Sequence, residues 1–240
     1  MSASGGSMGP RYQEKHAHIR GRGLISSSAL GLSDGLITNI AFLTGFAAVG
    51  DMSLIRFAGL AVMLAGAVSM FFGGILAARS ELDLFRADSR REAYEIANER
   101  EEEIAELKGL YMEKGLTEQE AATVVARVSS RDDKFLEDML ANELHVHGAN
   151  LENPYKLGGV IGLSFLVGAL VPLVPYYLTG VREHAIVASV LVSLVFLFSV
   201  GAWKGDIVGK APLKSGLETL VIGALAAGIL YVIGTFLGFV

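Results

Sequence analysis

The sequence predicts an all-α polytopic membrane protein with five transmembrane helices and a cytosolic three-helix domain inserted between the second and the third. Much of the 240-residue chain lies in apolar runs of about 20 residues, long enough to cross the hydrocarbon core as helices. Charged residues make up only 19% of the chain and crowd into residues 11–22, 79–147 and 204–214. The chain has no cysteine, which excludes a disulfide framework and a thiolate metal site.

Five apolar segments are candidate spans: residues 24–49, 57–78, 157–178, 185–203 and 217–240. The short connections between the first two and between the next two predict antiparallel helical hairpins. The resulting organisation is a cytosolic tail (1–23), two spans (24–78), a cytosolic helical domain (79–155) and three further spans (156–240). The Ser/Gly-rich start of the tail lacks the apolar region of a cleaved signal peptide.

The distribution of basic residues orients these spans, because loops rich in Lys and Arg stay in the cytosol. In a five-span topology the basic residues near span ends gather on one side: Arg11, Lys15, Arg20, Arg22, Lys204, Lys210 and Lys214. The loops on the opposite side hold only Arg56 and Arg182. We therefore expect the N-terminus and the central domain in the cytosol, and the C-terminus across the membrane.

The central domain has the pattern of three helices. The first is expected to continue from the second span without interruption to about Tyr111, with Gly115 as its stop. A capping box at Thr117–Glu120 opens the second helix, which runs to about Val128. The third opens near Ser130 and runs to about Leu144. The expected core of this bundle is Leu107, Leu110, Val124, Val125, Val128, Phe135, Leu136 and Leu140.

The first of these helices carries a stripe of acids. At about 100° per residue, six glutamates fall within an arc of roughly 100°: Glu92, Glu95, Glu99, Glu102, Glu103 and Glu106. Like charges at i,i+4 cost roughly 0.2–0.5 kcal/mol per pair, and few Lys or Arg stand at i+4 on this stripe to offset them. Carboxylates suit hard or borderline divalent cations, so the stripe is either a ligand set or a solvated face.

The third helix adds Met139 and Glu143, which share one face at i,i+4. A thioether beside carboxylates suits a softer metal such as Fe²⁺, although a lone methionine more often fills a core. His145 and His147 near the helix end are a further candidate pair, with surface or capping roles as the alternative. Neither helix contains Glu-x-x-His, which argues against a ferritin-type di-iron centre.

An acid lies within the first span, in the segment GLSDGLITN at residues 31–39. Asp34 is flanked by Gly31 and Gly35, a small-xxx-small pair that permits close helix packing. Because an acid inside a span is costly, it marks a functional position or the interior of the bundle. Met70 in the second span is a candidate to face Asp34 across the hairpin. Pro172 and Pro175 are expected to break or kink the third span.

These segments resemble the vacuolar iron transporter family. The resemblance rests on GLSDGLITN, on AGAVSMFFGGILAARSELD at residues 65–83, on GALVPLVPYY in the third span and on GALAAGILYVIG in the fifth. The motifs occur in the family's order and with matching spacing, and cover nearly the whole chain after the tail. The resemblance implies five spans with a cytosolic metal-binding domain between the second and the third.

The family's metal domain has two Glu-x-x-Glu pairs and a Met-Met-x-x-Glu motif. The resemblance assigns these as metal ligands to Glu92 with Glu95, Glu103 with Glu106, and Met139 with Glu143, leaving Glu99 and Glu102 as possible additional ligands. It assigns the transport pathway to Asp34 and Met70. The chain departs from the family's pattern at Leu140, where the family has a second methionine, and at Ser27 and Val62, where acids are frequent.

The implied function is export of Fe²⁺, with Mn²⁺, Co²⁺ or Zn²⁺ as alternatives, from the cytosol in exchange for protons. The implied assembly is a homodimer in a bacterial plasma membrane or a vacuolar membrane, with the first spans lining the pore and no prosthetic group. The alternative is a non-transporting metal sensor or scaffold whose acidic domain docks a partner. An enzyme is not expected, since no nucleophile–base set or cofactor loop stands out, and no basic tract predicts nucleic-acid binding.

Overall fold

The structure is a computed structural model and describes residues 22–46, 51–142 and 152–236. These residues form eight α-helices and no strand. The helices are α1 (Arg22–Phe46), α2 (Met52–Asn98), α3 (Arg100–Glu113), α4 (Glu118–Val128), α5 (Asp132–Asn142), α6 (Pro154–Leu178), α7 (Arg182–Ile207) and α8 (Pro212–Phe236). The predicted N-terminal tail lies outside the described residues, except for its last two.

Five of these helices are long and apolar enough to cross a membrane: α1, α2, α6, α7 and α8. The predicted all-α fold with five spans is thereby confirmed. The chain divides into two compact units. We call the first the membrane unit; it contains α1, the start of α2 and α6–α8. We call the second, Ala77–Glu152, the acidic unit; it contains the rest of α2 and α3–α5.

Helix α6 packs between α1 and α2 in the membrane unit, and glycines make the contacts. A Cβ at Gly31 of α1 would lie 2.5 Å from the carbonyl oxygen of Ile161. On the other side, a Cβ at Gly74 of α2 would lie 2.9 Å from the Cα of Gly158. Real Cβ atoms do not approach this closely, so the helices pack backbone to backbone. The predicted role of Gly31 and Gly35 in close helix packing is confirmed, with α6 as the partner.

Polar side chains bond to the backbone of α6 near its prolines. Helix α6 continues through Pro172 and Pro175. The prediction that these prolines break the third span is therefore wrong. Asn39 Nδ2 of α1 donates to the Ala169 carbonyl at 2.6 Å, and Ser189 Oγ of α7 donates to the Pro172 carbonyl at 2.7 Å. These bonds tie α1 and α7 to α6, as polar side chains commonly do between helices in lipid.

The acidic unit has a small core between its helices. The buried members are Ile96, Leu107, Val125, Phe135 and Met139, and Leu110, Val128 and Leu136 pack against them half-buried. Arg100 joins α3 to the start of α5, because it donates to Asp132 Oδ1 at 2.9 Å and to the Ser129 carbonyl at 2.5 Å. Most of the predicted core is confirmed, with Ile96 and Met139 as additions.

The predicted start of α4 and the predicted end of α3 are confirmed. Thr117 and Glu120 form the predicted capping box at the start of α4. Gly115 follows α3 with a φ of 97°, as its predicted stop requires. Asn153 caps α6 by accepting from the backbone N–H groups of Tyr155 and Lys156.

The prediction of one uninterrupted helix to Tyr111 is wrong. Helix α2 ends at Asn98, and α3 begins at Arg100. Glu99 between them has φ −127° and ψ 33°, and its carbonyl accepts from the N–H groups of Glu102 and Glu103. Neither a proline nor a glycine causes this break. Directly after the break, Arg100 contacts Ser129 and Asp132, and these tertiary contacts are not encoded in the local sequence.

The glycine packing gives a matched pair of variants in α6. A Cβ at Gly168 would clash with the carbonyl of Leu32, whereas a Cβ at Gly159 would meet nothing within 4 Å. Overpacking costs about 1–3 kcal/mol, which corresponds to roughly 2–4 °C of Tm per kcal/mol in a chain of this length. We expect Gly168→Ala to lower the apparent Tm of the detergent-solubilised protein, and Gly159→Ala to leave it unchanged or raise it slightly. Equal Tm values for the two variants would contradict the packing described.

Candidate metal sites

Two carboxylates of the acidic unit lie at core-facing positions. Glu92 of α2 is fully buried and Glu103 of α3 is 7% exposed. The buried core residues Ile96 and Leu107 follow them at i+4, so the buried stripe has the order acid, apolar, acid, apolar. Both glutamates have interaction partners within the protein.

Such burial is unusual for a glutamate. Glutamate is almost never fully buried unless it is paired, because an uncompensated charge in an apolar interior costs several kcal/mol or shifts its protonation. Carboxylates also occupy such positions when they coordinate a cation. Among the predicted ligands, these two buried acids are therefore the ones whose positions a solvated acidic face does not explain.

The other predicted acids lie in more polar surroundings. Glu95 is half-buried and its Oε2 lies 3.6 Å from Arg91 Nε. Glu99, Glu102 and Glu106 are exposed. Each predicted Glu-x-x-Glu pair thus has one buried carboxylate and one that is more accessible to solvent. This division separates acids that a helical wheel placed together on one stripe.

Met139 of α5 lies in the core of the acidic unit. It is fully buried and packs with Ile96 and Leu107, the two residues that follow Glu92 and Glu103 by one turn. Met139 therefore fills the core, as the structural alternative for this residue predicted. A role of Met139 as a ligand stays a prediction. Glu143, His145 and His147 lie outside the described residues.

Two polar contacts hold α3 against the end of α5, just before the chain reaches residue 143. Tyr111 Oη donates to Asp138 Oδ2 at 2.6 Å, and Lys114 Nζ bonds to Asn142 Oδ1. Burial, together with the hydrogen bond to the Asp138 carboxylate, raises the pKa of Tyr111 to about 12. The phenol therefore remains a neutral donor at physiological pH and keeps this contact intact.

No three His, Cys, Asp or Glu side chains among the described residues lie close enough together to hold a metal ion. The described acids thus do not form a complete ligand cage by themselves. Coordination by Glu92, Glu95, Glu103, Glu106, Met139 and Glu143 as one set stays a prediction.

In the membrane unit, Asp34 lies half-buried on α1 and accepts a hydrogen bond from Thr38 Oγ1 at 3.4 Å. Its neighbours Gly31 and Gly35 face α6, so Asp34 lies beside the contact between α1 and α6 and not within it. Met70 of α2 is half-buried and packs at the edge of the core that contains Phe165 and Ala67. Whether Asp34 and Met70 serve one pathway stays a prediction.

A cavity of about 350 Å³ lies beside this part of α1, between α1, α7 and α8. Its polar lining consists of Ser26, Ser27, Ser33, Lys204 and Thr219. Ser27 lies two turns before Asp34, and Ser33 directly precedes it in the chain. At Ser27, where family members often have an acid, this chain therefore has a hydroxyl in the wall of a cavity that lies near Asp34 along α1.

Asn39 is a structural position that sequence analysis did not single out. It is fully buried in the middle of α1 and bonds to the backbone of α6. The available signal was an amide within an apolar span, since polar side chains there commonly bond across helices.

Comparison with known proteins places this arrangement of spans and acids in one family. The model of the VIT family matches residues 25–235, which cover the acidic unit and all but the outermost residues of the five candidate spans. The chain belongs to the VIT family.

Relatives in this family come from plants and fungi. "Vacuolar iron transporter 1" of Eucalyptus grandis is 33% identical over 90% of this chain and 87% of its own length. "Vacuolar iron transporter 2" of Oryza sativa subsp. japonica is 35% identical over 88% and 86%, respectively. "Protein CCC1" of Saccharomyces cerevisiae is 30% identical over 90% of this chain and 69% of its own length.

Glu103 and its exposed neighbour Glu102 provide a matched test of the buried carboxylates. If core-facing acids hold the metal, Glu103→Gln lowers Fe²⁺ affinity roughly tenfold or more, equivalent to about 1.4 kcal/mol. Glu102→Gln changes it by less than about fivefold, because exposed carboxylates contribute about 0–1 kcal/mol. Anaerobic isothermal titration of the purified full-length protein measures both affinities, and circular dichroism checks that both variants are folded. Equal losses of Fe²⁺ affinity in the two variants would show that burial does not identify the carboxylates that bind the metal.

Proposed function

We propose that this chain exports Fe²⁺ from the cytosol across a membrane in exchange for protons, with Mn²⁺, Co²⁺ and Zn²⁺ as further substrates. The observation that carries this proposal is the burial of two carboxylates, Glu92 and Glu103, each one helical turn before a residue that packs with Met139 in the core of the acidic unit. The names of the relatives, several of which are called vacuolar iron transporters, support iron as the substrate.

In the proposed first stage, the acidic unit captures cytosolic metal. The exposed carboxylates of Glu99, Glu102 and Glu106 attract hydrated cations, since clustered charge of one sign raises the local concentration of counter-ions. The buried acids and Met139 then replace water ligands. A mixed set of carboxylate oxygen and thioether sulfur suits Fe²⁺ better than the hard cations Mg²⁺ and Ca²⁺.

In the second stage, the metal crosses the membrane past Asp34 and Met70. Close packing of Gly31 and Gly35 on α6 supports this step, because it fixes the rotation of α1 and hence the direction of the Asp34 side chain. Protonation of the carboxylate on the acidic side removes its charge and releases the metal. Deprotonation on the cytosolic side prepares it for the next ion, so metal and protons move in opposite directions.

The proposed assembly is a homodimer whose α1 helices face one another. Leu30 is 58% exposed and, like Ser26, lines the cavity between α1, α7 and α8, so this face of α1 is only partly covered within one chain. The proposed orientation has the acidic unit in the cytosol, in accordance with the distribution of lysines and arginines. The host membrane is either a vacuolar membrane, as the relatives' names suggest, or a bacterial plasma membrane.

The alternative proposal is a membrane sensor or scaffold that does not transport. The presence of Ser27 and Val62 at positions where family members often carry acids favours it, because it leaves fewer carboxylates to pass on a cation. The exposed acids of α3 would then dock a basic partner. This alternative predicts metal binding or partner binding without flux.

Asp34→Asn distinguishes the two proposals. It keeps the shape of the side chain and removes its charge, so transport predicts a fall in initial Fe²⁺ flux by roughly tenfold or more, the effect of about 1.4 kcal/mol. The assay uses the full-length protein in liposomes loaded with a metal-sensitive dye. Asp206→Asn, at an exposed position near the end of α7, is the matched control and should retain wild-type flux. Full flux in Asp34→Asn would exclude the proposed pathway.

A further inference from the structure

The turn between α7 and α8 brings two lysines to the edge of the membrane. Helix α7 ends at Ile207 and α8 begins at Pro212, and both are candidate spans, so the turn lies at a membrane surface. Gly209 has a φ of 73°, and the Lys210 N–H donates to the Gly205 carbonyl at 2.9 Å. The turn is therefore a defined structure that holds Lys210 in place.

Two adjoining cavities lie along the start of α8. The first, of about 270 Å³, is lined by Lys210, Ala211, Lys214, Ser215 and Glu218. The second is an apolar groove of about 540 Å³, lined by Leu213, Lys214, Leu217, Glu218, Val221 and Ile222. Lys214 and Glu218 line both cavities, so the two lie side by side. A polar compartment at the membrane surface thus adjoins an apolar one that runs along a span.

The walls of the polar cavity are fixed by helix packing. Ser215 is only 7% exposed, and a Cβ at Gly205 would lie 2.6 Å from the Cβ of Ser215. The close approach of α7 and α8 therefore determines the position of this wall. The leucine and β-branched side chains of the groove remain about half exposed or more, from 49% at Leu217 to 66% at Leu213.

The charge of the polar cavity favours an anion with additional donor groups. Lys210 and Lys214 contribute two positive charges and Glu218 one negative charge, and within the described part of the chain neither lysine has an ion-pair partner. Lysine is a common phosphate ligand, and basic pockets at the ends of spans bind lipid headgroups. Glu218 is exposed, and its carboxylate can accept a hydrogen bond from a headgroup hydroxyl.

We propose that these two cavities form a binding site for an anionic glycerophospholipid of the phosphatidylglycerol type. Its phosphate lies between Lys210 and Lys214, its headgroup hydroxyl donates to Glu218, and one acyl chain lies along Leu213, Leu217 and Val221. The site belongs to the membrane unit and is independent of the proposed metal pathway. Its occupant would lie along the start of α8, on the outside of the helix bundle.

The test uses the full-length protein in a neutral detergent, with retained lipid measured by native mass spectrometry. Phosphatidylglycerol and phosphatidylcholine with the same acyl chains are titrated separately. Because each lysine near an anionic surface contributes about 1 kcal/mol, Lys214→Gln should weaken retention of phosphatidylglycerol roughly fivefold, and the double variant with Lys210→Gln roughly thirtyfold. Arginine at both positions should preserve retention, since it keeps the charge.

Control variants separate this site from general lipid binding. Lys156→Gln removes an exposed lysine at the start of another span, and should leave retention unchanged. Leu217→Ser in the groove should weaken retention, whereas Leu191→Ser at an exposed position of α7 should not. Equal retention of the two lipids, or unchanged retention in the double lysine variant, would overturn the proposal. So would binding of inorganic phosphate at this site without retention of lipid, because the site would then hold a free anion.

Discussion

The close packing of α6 against α1 and α2 is the constraint on which the membrane unit depends. Helices in lipid gain little from burying apolar surface against each other, so small residues and interhelical hydrogen bonds must supply the association. Gly158 and Gly168 of α6 meet the backbones of its neighbours, and Asn39 bonds across the α1 contact. Because Gly31 and Gly35 must face α6, the rotation of α1 is fixed. That rotation places Asp34 at the side of the contact with α6 rather than within it.

The acidic unit is organised by a different constraint, the placement of two carboxylates in a stripe that otherwise forms a core. Glu92 and Glu103 alternate with Ile96 and Leu107, so the residues that hold the bundle together also fix the acids. An apolar residue at either position would be simpler for folding, since a buried acid needs compensation. The proposed binding of metal by this unit gives a reason for placing acids at these positions.

Much of the fold can be predicted from the sequence, because spans and helix ends are each indicated by residues that lie close together in the chain. Five apolar segments gave five spans, and the Thr117–Glu120 capping box and Gly115 marked helix ends through contacts between near neighbours in the chain. The break at Glu99 was missed because neither proline nor glycine stands there. Asn98, a weak helix former, precedes the break and Arg100 reaches α5 directly after it, and helix propensity does not register such tertiary contacts.

The sequence predicted which residues make up the candidate site. The structure separates these residues into buried and solvent-accessible ones. The wheel placed six glutamates on one stripe, but it could not distinguish Glu103 from Glu102 or Glu106, since burial depends on where α4 and α5 pack. Met139 illustrates the same limit, because its spacing fits a ligand and a core residue equally well, and the structure places it in the core. Asn39 was overlooked because its function in the fold is a bond to a residue 130 positions away.

The central claim is that this chain couples the movement of Fe²⁺ to an opposite movement of protons. The most direct measurement follows both ions at once in proteoliposomes, with a metal-sensitive dye and a pH indicator inside and Fe²⁺ added outside. The account predicts that an acidic interior accelerates Fe²⁺ entry and that protons leave as the metal enters. Fe²⁺ entry at the rate of protein-free liposomes, with or without the pH gradient, would contradict it.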